Sequence, residues 1–87
     1  MSNPKNNAGV SASEAIAVLE SEIVAFSRQQ ADCADRINKL LLTEDPTRGI
    51  VFAKEIFTLQ QEKLRLEVEM QIRRNKINRI REFGLSW

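Results

Sequence analysis

Ile16-Ala-Val-Leu19-Glu-Ser-Glu-Ile23-Val-Ala-Phe26-Ser-Arg-Gln-Gln30-Ala-Asp-Cys33-Ala-Asp-Arg-Ile37-Asn-Lys-Leu40 is the stretch that decides the fold. The numbered positions are spaced 3, 4, 3, 4, 3, 4 and 3 residues apart, and only Gln30 among them is polar. A strand would alternate every second residue. This spacing is instead the heptad seam of a helix that lays one narrow stripe against one partner helix. No proline or glycine interrupts the chain from Ser11 to Leu42.

Upstream, Ser11-Ala12-Ser13-Glu14 reads as a helix start, with Ser13 as the cap or Ser11 and Glu14 forming a capping box. Residues 1 to 12, with Pro4, Gly9 and three asparagines, read as a flexible tail. Downstream, Thr43-Glu-Asp-Pro-Thr-Arg-Gly49 is the internal break. Asp45 followed by Pro46 fits an N-cap and first helical position, so a second helix is expected from about 47 to 83. The first is expected over about 13–42, the break over 43–49, and a C-terminal tail over 85–87. A short connection between long helices makes an antiparallel hairpin, so the predicted fold is an all-α, coiled-coil-like two-helix hairpin.

The second helix carries a matching seam: Phe52, Ile56, Leu59, Lys63, Leu66, Met70, Arg73, Ile77 and Ile80, at spacings of 4 and 3. The hairpin core is expected from Ile16, Leu19, Ile23, Phe26, Ile37 and Leu40 against Phe52, Ile56, Leu59, Leu66, Met70, Ile77 and Ile80. A second apolar set, Ile50, Ala53, Phe57, Leu64, Val68 and Ile72, falls on nearly the opposite side at roughly 100° per residue. A two-helix monomer needs one apolar face per helix. Burying a Leu, Ile or Phe side chain stabilises by roughly 1.5–3 kcal/mol, so leaving this set in water forfeits much of a small domain's stability. Unless the N-terminal tail folds back over it, Phe57, Leu64, Val68 and Ile72 form an interface for other protein helices.

Length points the same way. A chain of 87 residues is one domain, and near this size only roughly 60% of the unfolded surface is buried on folding. Oligomerisation or a partner therefore belongs to the expected stability account.

Thirteen basic and twelve acidic residues leave a net charge of +1, without the basic excess of a dedicated nucleic-acid binder. Glu14, Glu20 and Glu22 lie near the start of the first helix, while Arg73, Arg74, Lys76, Arg79 and Arg81 crowd the end of the second. Each group complements its helix dipole, and antiparallel packing sets the two groups side by side. The basic cluster is also the one candidate for phosphate contacts, but it has no aromatic platform for stacking bases.

The chain has no histidine and one cysteine. That removes the commonest general base, the commonest metal ligand and any intramolecular disulfide. No catalytic, metal or cofactor site is expected, and Cys33 reads as a small apolar seam residue. Gln30 either fixes register or marks a wet end of the seam. Gly84 can stop the second helix. Leu85 and Trp87 then form a clasp, a partner anchor or a frayed tail. No apolar run approaches the roughly 20 residues of a membrane span, and Met1 to Gly9 has no signal-peptide core. Synthesis in the cytoplasm without a cleaved signal is expected.

The layout resembles small bacterial export-apparatus proteins: type III secretion needle subunits, inner-rod subunits and the flagellar rod adaptor. The matching pieces are the tail to Ala12, Asp45-Pro46 in the break, and the long second helix, over about the last 45 residues. Gln71-Ile72-Arg73-Arg74-Asn75-Lys76-Ile77 is similar to a Gln-Val-Arg-Asn-Lys-Leu stretch of the rod adaptor, with one residue extra. The resemblance implies a self-assembling subunit exported by a signal-less route, its second helix building a helical tube. Three functions follow: a self-associating structural subunit, an adaptor or chaperone for one helical partner, and a hairpin dimer binding RNA or DNA through Arg73 to Arg81.

Overall fold

The computed structural model describes residues 11–85. Helix α1 spans Ala12–Thr43, a single 3₁₀ turn spans Pro46–Arg48, and helix α2 spans Ala53–Phe83. The helices pack antiparallel along their length as an all-α hairpin, each about 47 Å long at 1.5 Å per residue.

α1 begins with a complete capping box. The Ser11 hydroxyl accepts the Glu14 backbone N–H at 3.1 Å, and the Glu14 carboxylate accepts the Ser11 N–H at 2.9 Å. Ser11, and not Ser13, is the cap, with extended backbone ahead of the first helical turn. Ser11→Ala is expected to cost about 1 kcal/mol, because it strands a backbone donor of that turn. A thermal melt followed by circular dichroism should show the midpoint about 4–8 °C lower.

The second helix starts later than its expected position near residue 47. Asp45-Pro46 does open a helical turn, but the turn stops after Arg48, where Gly49 takes the left-handed conformation at φ 74°. That geometry ends a helix and suits a residue without a Cβ. The chain then folds back so that Asp45 and Ile50 exchange two backbone hydrogen bonds, of 2.7 and 2.9 Å. The Glu44 carboxylate accepts the Phe52 N–H at 2.9 Å and so serves the start of α2. A composite turn therefore occupies the space given to the first six residues of the expected helix.

At the other end Gly84, at φ 76°, stops α2 and donates its N–H to the Ile80 carbonyl at 2.8 Å. Leu85 is exposed beyond it. Trp87 lies outside the described residues, as does the tail up to Val10.

The core is a line of side chains between the helices. Cys33 and Ile37 of α1, with Leu66, Met70, Ile77 and Ile80 of α2, are buried, and Leu66 alone has no accessible surface. The other seam residues, Ile16, Leu19, Ile23, Phe26, Leu40, Phe52, Ile56 and Leu59, are half-buried. One neighbouring helix covers one side of a cylinder only, so the seam stays wet along its edges.

Candidate protein interface

Leu64, Leu66 and Val68 follow one another on α2 at every second residue, about 200° apart around the helix. Leu66 is sealed in the seam, whereas Leu64 and Val68 are 60% and 57% exposed. Phe57 at 61% and Ile72 at 42% continue the exposed side. Helix α1 segregates its apolar residues to one side, but on α2 they oppose each other and the amphipathic character cancels. Among the described residues twelve large apolar side chains are exposed while six apolar residues are buried. Isolated exposed leucines are ordinary, whereas Phe57, Leu64, Val68 and Ile72 share one helix face.

Ile50 belongs to the outward set expected from the sequence, but several other exposed residues were not anticipated. Leu41, Leu42, Ile50 and Val51 stand exposed around the hairpin turn, Leu42 at 84%. The run Leu40-Leu41-Leu42 was the available signal, since a single seam can take only one of three consecutive leucines. Phe83, 64% exposed, lies at the far end of α2.

Polar members of the two seams meet each other. The Gln30 side-chain amide donates to the Lys63 carbonyl and to the Glu67 carboxylate, both at 3.2 Å. Arg73 holds Glu22 across the hairpin at 2.9 Å and Glu69 one turn back at 2.8 Å, with its guanidinium 4.5 Å from the centre of the Phe26 ring. Sliding one helix along the other by a heptad would strand all three groups. Register is thus set by polar pairs and not by apolar shape alone.

These pairs also consume much of the basic cluster. Arg73 is engaged as described, Arg74 meets Glu67 at 3.3 Å, and Arg81 meets Glu20 at 3.5 Å. Lys76 and Arg79 are exposed. The antiparallel placement of acidic helix start beside basic helix end accounts for the cross-hairpin members of this network.

The charges shift accordingly. The Glu69 hydrogen bond is the main cause that raises the Arg73 pKa; burial opposes it, and the Glu22 hydrogen bond adds to the rise. Arg65 beside Glu62, at 2.6 Å, lowers that carboxyl below its ordinary range. The hydrogen bond from Gln30, followed by Arg74, likewise lowers Glu67. A carboxyl depressed in the folded state stabilises the fold above its unfolded pKa, about 4.3, and loses that contribution as pH falls through its folded value. Thermal midpoints should therefore drop on acidification from about pH 4.5 towards pH 3. In Glu67→Gln the drop should be shallower, since the Gln30 and Arg74 pairs no longer titrate.

The remaining concave features are open grooves beside the seam. One of them, about 660 Å³, lies between Arg36, Leu40, Lys54 and Leu59. No cluster of three or more metal-ligating side chains occurs among the described residues, and no helix there is long and apolar enough to cross a membrane. Comparison with protein-family models, curated proteins and solved structures finds no match to this chain.

Proposed function

We propose that this chain is a non-enzymatic, self-associating structural subunit of the secretion needle or rod kind, assembling through the outward face of α2. The observation that carries this reading is the exposed row Phe57, Leu64, Val68 and Ile72 on the side of α2 opposite its packed seam. A hairpin that, among its described residues, buries six apolar side chains and exposes twelve gains stability by covering that row. Assembly onto itself needs no further component, and it fits the subunit type that the last 45 residues resemble.

Size-exclusion chromatography with light scattering tests the proposal on the purified full-length chain. The expected mass exceeds 9.9 kDa and climbs as concentration rises. A single-chain mass at every concentration would overturn self-association. Stable one-to-one capture of a helical partner by that monomer would move the chain to the adaptor class. Binding of RNA or DNA is disfavoured by the acidic partners on Arg73, Arg74 and Arg81.

A further inference from the structure

Growth without closure needs two different surfaces on each copy, because a patch that meets itself under a twofold rotation closes after two chains. The row Phe57, Leu64, Val68 and Ile72 is one such surface. The hairpin offers three others: the back of α1, and the two broad sides on which both helices show.

Charge separates the three. Exposed Arg28, Asp35 and Lys39 occupy the back of α1. One broad side holds the grooves that include Asp32, Arg36, Lys54 and Glu55, and none of these four charges has a partner among the described residues. An apolar row laid there would strip water from the charges and put nothing in its place. The other broad side differs. Arg81 meets Glu20 there and Arg74 meets Glu67, so those ions are already paired inside the hairpin. Lys63 has no carboxylate among the described residues, but its long stem lets the ammonium stay at the rim of the groove. The surface between these groups is Val24, 49% exposed, with Ser27, Ala31 and Ala34.

We propose that the outward row of α2 docks into this second side on another copy of the chain, between its α1 and its α2. Each copy then gives its row to one neighbour and its groove to another, and the contact repeats. Shape fits the pairing. Two successive grooves, of about 500 and 370 Å³, lie along the receiving side. Serine and alanine keep α1 low there, so a third helix can settle at the roughly 8–10 Å spacing of packed helices. From Glu20 to Ala34 the grooves cover about 21 Å of α1, and the row from Phe57 to Ile72 covers about 22 Å. Centred on one another, they bring Leu64 of one copy against Ser27 and Ala31 of the next. The row itself carries no charge, since Gln61 is its polar member between Phe57 and Leu64. This rests on the self-association proposed above and names the surface that receives the row.

Two variants of the full chain, each disabling one surface, test the docking. Leu64→Glu/Val68→Glu disables the row, and Ser27→Glu/Ala31→Glu disables the groove at two exposed positions of α1. Each should be a helical single chain, with association weakened by at least about 100-fold. Mixed, they should form a one-to-one dimer that grows no further, because one intact row meets one intact groove while the two acidic surfaces repel. Sedimentation velocity reads all three samples. A groove variant that assembles like the parent would overturn the docking and leave self-association standing. So would two single-chain variants that fail to combine. If circular dichroism shows that the groove variant has lost its helices, cross-linking decides instead. Copies carrying Leu64→Cys and copies carrying Ala31→Cys, both in a Cys33→Ala background, are mixed and joined with a short thiol cross-linker. The expected main product links position 64 to position 31, and a main product linking 64 to 64 would refute the proposal. A parent that stays a single chain at every concentration would end both this docking and the self-association.

Discussion

Leu66→Ala is expected to remove most of the stability of the hairpin. Leu66 is, among the described residues, the one large side chain with no accessible surface, and it sits in the seam between the Gln30–Lys63 pair and Met70. Deleting three of its carbons leaves a cavity between two long helices that cannot close without breaking the polar pairs on either side. Leu→Ala at such sites costs about 2–5 kcal/mol. A chain of this length has roughly 4–13 kcal/mol in total, so the loss is a large share of it. The thermal midpoint followed by circular dichroism should fall by at least about 10 °C. Leu64→Ala, two residues away with the same chemistry, is the control. It should change the midpoint of the monomer by no more than a few degrees, because its side chain is mostly in water already. Equal effects of the two would mean that the inward and outward faces of α2 are wrongly assigned.

The second large effect is expected on assembly and not on folding. Leu64→Glu with Val68→Glu puts two carboxylates in the middle of the outward row. Glutamate is a better helix former than valine and close to leucine, so α2 keeps its backbone preference. The inward seam is untouched, and circular dichroism should retain nearly the full helical signal. In an assembled state the same carboxylates are driven into an apolar contact, where an unpaired charge is strongly disfavoured. Association should weaken by at least about 100-fold. Leu64→Met with Val68→Ile, which preserves apolar bulk, should leave it within a few-fold of the parent.

The sequence made the hairpin legible because the two seams obey one spacing rule over long stretches with nothing to break it. Gly84 as the stop and the pairing of acidic with basic ends followed from equally local chemistry. The turn was harder. Asp45-Pro46 is a good helix start wherever it occurs, and only the left-handed Gly49 and the return of Ile50 onto Asp45 show that the turn ends at once. Whether Gln30 fixes register also depended on what lay across from it. Lys63 and Glu67 are 33 and 37 residues away in the chain, and their approach follows from the register that they help to set. The basic cluster looked like a unit in sequence, but helical geometry sends Arg73 to Phe26 and Glu22, Arg74 to Glu67 and Arg81 to Glu20. The exposed leucines at the turn were missed because spacing rules reward the residue that fits a seam and say nothing of its neighbours.

The same chemistry separates two roles along α2. One face holds the hairpin together through Leu66, Met70, Ile77 and Ile80. The opposite face contributes little to that hairpin and carries the proposed work of the protein. That division is the central claim, and it is tested most directly by sedimentation velocity of the parent chain beside Leu64→Glu/Val68→Glu over a wide concentration range. The account predicts that the parent sediments as multi-chain species whose weight-average mass rises with concentration, and that the helical double variant stays a single chain. A parent that remains a single chain throughout, or a double variant that associates like the parent, would contradict it.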